Sequence, residues 1–575
     1  MNFFQRWKNT LDASIRSLSV GQRTFAVIAF CGLIVSAGIL VYQALTLGTI
    51  NMPVAGGTYR EGIVGSPRFI SPLYAQSDVE KQLVNVVYNG LVQYRGNELV
   101  DDLAAEIVVS DDKKTYTFTL RDNISFHDGV SMDAKDVVFT LEALRDRDIL
   151  ASNSTSIWTR LKVEQQNNRT LIIKLEQPYP NLLHDLTVGI LPEHIWSVIP
   201  PENYHLSSYN TEPIGSDAYK ISRTVLEQND SLLSITLKRA RHSAAPENNK
   251  GYLNTIILNF YENEDELLTN YHQESIDGFT MLMRKPEEVV GINTTTISDS
   301  IYTSDLIGLF VNTQDPSSTL RTPEARNLLN KIMVYQRMID KESIHADESI
   351  DWHRFFFSDD TLPPEVIGEQ IKSSINSNWT YSEQYDTLVS KSGSTPFAFT
   401  ITTSNAPQFI TQAEAVQKAL LEYKIRADMR IVSENELLEY VIPERDYEVL
   451  LFGTGLPNPS SLSSFWHSSQ RNHPGLNITG YANSRVDTIL DQLITSTIPK
   501  NQQDFAENAI REIMQESPVI PLGYKQYYHH HRNITVPNPT TTVRHISDRW
   551  NTIHSWYAWT QPVWNRFIPS NDESS

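Results

Sequence analysis

The amino-acid sequence predicts an α/β protein of more than one lobe, carried behind a single apolar helix. Three observations predict it. The chain has 575 residues, more than one hydrophobic core ordinarily serves. Helical periodicity alternates with strand-like alternation through much of its length. A run without any charged residue, Thr24 to Leu47, stands near the N-terminus.

That run reads TFAVIAFCGLIVSAGILVYQALTL. As a helix it spans roughly 36 Å at about 1.5 Å per residue, enough to cross a hydrocarbon core of about 30 Å. Arg6, Lys8, Arg16 and Arg23 precede it against the single acid Asp12. The bias predicts a cytoplasmic N-terminus, 1–23, an anchor, 24–47, and an extracytoplasmic body. A cleaved signal peptide has a shorter apolar core and a small-residue cleavage site behind it, and TLGTINMPVAGG offers a poor one. A lipoprotein signal places small residues before its cysteine, whereas Cys31 follows Ile28-Ala29-Phe30 in mid-run. A buried core helix would not stand at an extreme terminus behind basic residues. An uncleaved single-pass anchor in the cell membrane is the reading that fits.

The body opens with turn signals, Gly56-Gly57, Pro67 and Pro72. A helix follows with Val79, Leu83, Val86 and Val87 on one face. Thr115 to Asn123 alternates as a half-buried strand does, then Asp128-Gly129 makes a turn. A helix starts behind Asp133 as N-cap, its apolar face being Val137, Val138, Leu141 and Leu144. Thr170 to Glu176 reads as a strand. Ala413 to Ile425 is an amphipathic helix, followed by strand-like ADMRIV and YEVLLFG. Helix and strand in succession indicate an α/β lobe. Phe505 to Gln515 is a helix leading into the strand PVIPLGY, and the tail 565–575 frays.

Composition excludes several function classes. Hydrophobic residues at 40% and charged residues at 20% describe a globular protein. A net charge of −20 without a basic cluster in the body speaks against nucleic acid. One cysteine forms no intramolecular disulfide. No G-x-S-x-G, H-E-x-x-H, Walker A or G-x-G-x-x-G pattern occurs, so no catalytic residue is assigned. The pairs Asp101-Asp102, Asp111-Asp112 and Asp359-Asp360 read as solvated loops. His529 and His531 would share a strand face, but two ligands are too few for a metal site, and His529 to His531 read as surface and packing residues. His127, before the Asp-Gly turn, reads as a structural contact. No cofactor is indicated. Ten tryptophans and 25 tyrosines serve cores first, and do not by themselves mark a pocket.

An ordered set of segments carries a resemblance. GGTYREGIVGSPRFISPLYAQSDVEKQLVNVVYNGLVQY opens it. LVDDLAAEIVVSDDKKTYTFTLRDNISFHDGVSMDAKDVVFTLEAL is its most specific stretch. GILPEHIW, EPIGSDAYKI and DELLTNYHQESIDGF follow, then YEVLLFGTG, SFWHSSQ and GLNITGYANSRVDTIL. In collinear order these resemble the family 5 extracellular solute-binding proteins, the peptide- and nickel-binding group. The resemblance implies a two-lobed, periplasmic-binding-protein-like clamshell with an extra subdomain; a monomer is expected. Solute is held between the lobes and delivered to ABC permease subunits. Lobe I would comprise 56–89, 212–305 and 516–564, the inserted subdomain 90–211, and lobe II 306–515.

In dipeptide-type members an aspartate after a Thr-Gly step pairs with the peptide's amino terminus. Here the loop reads Phe452-Gly453-Thr454-Gly455-Leu456-Pro457-Asn458-Pro459, which puts Leu456 at the acid's position. Pro323 to Leu329 also departs from the family's "VRQAL". The expected ligand-binding residues are Phe452, Gly453, Thr454, Gly455, Leu456 and Trp466, with Ser71 and Tyr74 from the opening segment. The ligand expected is a small peptide or other small solute. Nickel and haem, bound within the broad family, find no ligand cluster in the sequence. A membrane-anchored peptide sensor without transport is the alternative, and a hydrolase on the same fold lacks its nucleophile.

Overall fold

The computed structural model describes residues 19–564, apart from 48, 66, 97, 151–156, 180, 228–231, 247–249, 283–288, 290–294, 341–354, 358–361, 393–394, 456–458, 474, 497 and 538–540. The basic residues before Ser19, Leu456, the pair Asp359-Asp360 and the tail 565–575 lie outside that set. Two compact units make up the chain: Met1–Gly56 with Tyr557–Ser575, and Gly57–Trp556.

In the first unit a 28-residue helix spans Val20–Leu47. It begins four residues before the charge-free run because Ser19 and Gln22 cap it reciprocally. The Gln22 amide donates to Ser19 Oγ (3.4 Å) and the Ser19 amide to Gln22 Oε1 (3.0 Å). From Val20 to Leu40 the helix is long and apolar enough to cross a membrane, and none of that stretch is buried. Strand Thr49–Val54 then pairs antiparallel with Trp559–Trp564.

The second unit is built on an 11-stranded mixed sheet. Its central pair, Ile297–Val311 and Val519–His531, consists of the two longest strands, 15 and 13 residues. On one side the order continues through Gly278–Leu282, Thr58–Val64, Thr255–Tyr261, Leu232–Arg239 and Tyr219–Leu226. On the other it runs through Val449–Gly455, Ala398–Ser404 and Arg426–Val432.

Strand alternation divides the core. Ile307, Leu309 and Val311 pack with helices Pro323–Asp340, Pro364–Asn378 and Pro407–Glu422. Leu306 and Phe310, on the opposite face, pack with Ser461–Trp466, Ser484–Thr495 and Pro499–Glu516. Helices on both faces of a sheet are the α/β layering expected from the succession of patterns.

A separate antiparallel sheet joins Ala104–Val109, Thr115–Leu120, Thr170–Leu175 and Leu161–Gln165 in that order. Helix Ala134–Leu150 packs on it. Asp133 Oδ1 accepts from the Lys135 amide (2.7 Å), and Asp136 returns the bond to the Asp133 amide (2.9 Å). Val137, Leu141 and Leu144 are buried and Val138 half-buried. At the neighbouring turn, Gly129 has φ 91° and the Val130 amide donates to Asp128 Oδ1. His127 Nε2 lies 2.8 Å from the Asp217 carbonyl, a structural contact at that turn.

Candidate solute-binding site

The site begins at a break in the central ladder. Tyr302 pairs with Gln526 and Leu306 with Tyr524, so Thr303, Ser304 and Asp305 stand opposite the single residue Lys525. Such a bulge turns side chains out of the regular alternation. Two of its polar side chains are satisfied: Thr303 Oγ1 donates to the Lys525 carbonyl (2.9 Å), and Ser304 Oγ to the Arg544 carbonyl (3.0 Å). On its other edge Asp305 stays in register with Gly455. Asp305, Lys525 and the glycine-rich strand end therefore meet at one point.

Asp78 joins them from helix Asp78–Val87. Ser77 caps that helix, accepting from the Glu80 amide (3.3 Å), and an acid in the first turn suits the helix dipole. Glu80 accepts in return from the amides of Ser77, Gln76, Arg68 and Phe69, which draws the preceding loop over the helix start. Leu83, Val86 and Val87 are buried, with Val79 half-buried at the edge.

Asp78 Oδ2 lies 3.3 Å from Lys525 Nζ and 3.3 Å from Tyr527 Oη, and Asp78 Oδ1 lies 2.9 Å from His545 Nε2. Lys525 Nζ is also 3.6 Å from Asp305 Oδ2. Burial acts to raise the Asp78 carboxyl, but Lys525 and His545 outweigh it and hold the group well below the carboxylate range. Burial likewise acts to lower Lys525, and Asp78, Tyr527 and Asp305 reverse this. Glu434 is raised by burial and then by Asp78. Two carboxylates thus share one ammonium, and Asp305 Oδ1 is buried without a hydrogen-bond partner.

These groups line a cavity of about 840 Å³. Phe452, Gly453, Thr454 and Gly455 all line it. Gly453 leaves room for its neighbour: a Cβ there would stand 2.4 Å from Lys525 Cε and the end of that side chain would have to shift. At Gly455 a Cβ would come within 2.9 Å of Asp305 Oδ1. The outer edge of Val449–Gly455 pairs with Ala398–Ser404 only through Val449 and Leu450. Phe452–Gly455 is therefore without a strand partner on that edge among the described residues.

Other expected residues fall elsewhere. Trp466 is 1% exposed within the core cluster, and its neighbour Phe465 lines the cavity instead. Ser71 is fully buried, its Oγ 3.4 Å from the Leu73 amide as acceptor. Tyr74 is half-buried with its ring 5.5 Å from that of Phe69. Neither lines the cavity, although Pro72 and Ala75 do. Asp78, Asp305, Lys525 and His545 were not singled out by sequence. Asp305 had one legible signal, a charge heading the apolar run LIGLFV.

A second acidic group borders the cavity. Asn89 Nδ2 donates to Asp102 Oδ2 (3.0 Å) and lies 3.4 Å from Asp217 Oδ1, while Arg121 reaches Asp102 at 3.4 Å. Asp102 is 6% exposed, which corrects its reading as a solvated-loop acid: the Asn89 and Arg121 bonds offset the desolvation a loop acid avoids. Burial pushes Asp102 up to about 6, and burial together with Asp102 pushes Asp217 up to about 7. His529, His530 and His531 are also buried, not at the surface, because their strand lies at the centre of the sheet.

Comparison with known proteins places this arrangement. Residues 98–340 match the model of bacterial extracellular solute-binding proteins, family 5, middle region. The oligopeptide-binding protein AppA of Bacillus subtilis (strain 168) is 21% identical over 492 residues, covering 82% of this chain and 87% of AppA. Its structure with a nonapeptide superposes with a TM-score of 0.69 at 19% identity, over 88% of this chain and all of that one. The periplasmic binding protein DppA of Helicobacter pylori, solved with the peptide STSA, gives 0.68 at 17% identity over 88% and 98%. Residues 98–340 thus match the middle region of the family 5 extracellular solute-binding proteins, and the second unit has the fold of the two-lobed solute-binding proteins.

Proposed function

We propose that this protein is the extracytoplasmic receptor of an ABC importer, holding a peptide or peptide-like solute in the cavity at the central bulge and handing it to a permease. The open edge of Phe452–Gly455 carries the reading. An extended peptide satisfies such an edge with its own main chain, whatever its side chains. The unpartnered Asp305 oxygen beside that edge supplies a counter-charge for the peptide's amino terminus. A cavity of about 840 Å³ lies within the roughly 300–1,000 Å³ common for small ligands. Phe452, Gly453, Thr454 and Gly455 are the proposed ligand contacts. Helix Val20–Leu47 would hold the body at the outer membrane face, its N-terminus inside.

Calorimetric titration of the full chain, taken from the membrane fraction in detergent, with peptides of graded length tests this. Saturable binding is expected, with the peptides recovered intact. Heat from sugars or chelated metals, and none from any peptide, would overturn peptide import. Recovery of the chain in the soluble fraction would overturn the anchor.

A further inference from the structure

Farther along the sheet face that lines the cavity stands a second set of ligating side chains. Alternate residues of Val519–His531 share a face, so His529 and His531 continue the row that Lys525 and Tyr527 present to the cavity. Asp299 stands directly opposite His529 in the antiparallel register. A cross-strand partner and an i+2 neighbour on one face converge, because opposite Cβ atoms are only about 4.5–5.5 Å apart. The third ligand that the sequence did not supply is brought in by a strand 230 positions earlier in the chain.

The geometry suits a small cation. Asp299, His529 and His531 each offer one ligand atom within 4.8 Å of the other two, and His531 Nε2 is 2.7 Å from Asp299 Oδ2. A tetrahedral ion bonded at about 2.0–2.1 Å needs ligands roughly 3.4 Å apart, which lies inside that range. The three side chains are 5%, 2% and 1% exposed, so water does not compete for them.

Two further observations point to a missing positive centre. His531 Nδ1 and Glu61 Oε2 are buried without hydrogen-bond partners. Charge is also unevenly matched. The buried carboxylates Glu61 and Asp277 are each held by an arginine, Arg549 and Arg60. Asp299 has only His531 as ion-pair partner among the described residues. Trp556 covers the site, stacked on His529 with ring centroids 5.2 Å apart.

We propose that Asp299, His529 and His531 form a site for one first-row divalent cation of the zinc type, distinct from the solute cavity and clamping the central strand pair beside it. Two imidazoles and one carboxylate are the donor set that such an ion accepts. Tyr59 Oη, 2.9 Å from His529 Nε2, is the outer partner that orients the imidazole, with the Glu61 carboxylate 3.8 Å away. The ion neutralises Asp299 and cross-links Ile297–Val311 to Val519–His531.

The test uses the untagged full chain, purified in detergent and stripped with chelator, then loaded with Co²⁺ both as folded protein and during refolding. Stoichiometric uptake with the visible absorption of tetrahedral cobalt is expected, displaced by Zn²⁺. His531→Gln and Asp299→Asn should each weaken uptake by about 100-fold or more, above the cost of losing an outer-shell partner. His473→Ala, at an exposed position, should leave it unchanged. Absence of the spectrum in wild-type protein after both loading routes would overturn the proposal. So would a spectrum that survives His531→Gln.

Discussion

Asp305 heads a strand segment, Leu306 to Val311, in which every residue is buried. A carboxylate in such company costs free energy unless charge and hydrogen bonds compensate it. Lys525 gives it half a partner, since that ammonium also serves Asp78. A bound ammonium would complete the set. Wild-type protein should therefore prefer a peptide with a free amino terminus over its N-acetylated form by roughly 10-fold or more, the scale of a hydrogen bond to a charged group. Asp305→Asn should abolish that preference while the acetylated peptide still binds. Calorimetry on the two peptides checks this, and an unchanged preference in the variant would exclude Asp305 as the contact. Sequence reasoning looked for this charge at Leu456, one position beyond Gly455. It missed Asp305 because a cross-strand partner depends on register, and register is set by pairing far along the chain.

At the scale of the element, helix Asp78–Val87 shows what periodicity can and cannot deliver. Its buried face was legible from the spacing of Leu83, Val86 and Val87. The role of Glu80 was not, because the four amides that it accepts come partly from a loop whose path no local pattern specifies. Removing the cap in Ser77→Ala should cost about 1 kcal/mol. Glu80→Ala should cost more, about 3 kcal/mol, since several part-buried amides lose their acceptor. Hydrogen exchange across residues 76–87 reads both as lost protection. A larger loss for Ser77→Ala would show that the loop does not depend on Glu80. The short helix Ser461–Trp466 gives the converse lesson. With two adjacent aromatics and barely more than one turn, its sequence has too little periodicity to tell that Phe465 faces the cavity and Trp466 the core.

For the molecule as a whole, pH dependence follows from the buried acids. Asp102 and Asp217 titrate at about 6 and about 7 in the folded chain, raised from 3.8. A raised carboxyl binds its proton more tightly when folded. Its contribution is thus complete below the unfolded value and is lost as pH rises through the folded one. Unfolding temperature should fall between about pH 4 and about pH 8, and Asp217→Asn should flatten that fall by removing one acid and the repulsion it exerts on Asp102. Thermal unfolding of both proteins across the range checks it, and parallel curves would mean that the pair does not govern the slope. At this scale the α/β architecture was the most legible feature, since it depends on repeated patterns that survive small errors. The bulge and the histidine cluster were the least legible, since both exist only where distant strands meet.

One consequence of the Gly453–Lys525 contact reaches beyond the folded structure. The end of the Lys525 side chain passes through the space that a side chain at position 453 would fill. A side chain there would push the end of Lys525 aside and change how its ammonium is shared between Asp78 and Asp305. A single substitution at 453 should therefore alter the charge balance of the pocket, and a changed affinity of Gly453→Ala for cationic peptides in calorimetry checks this.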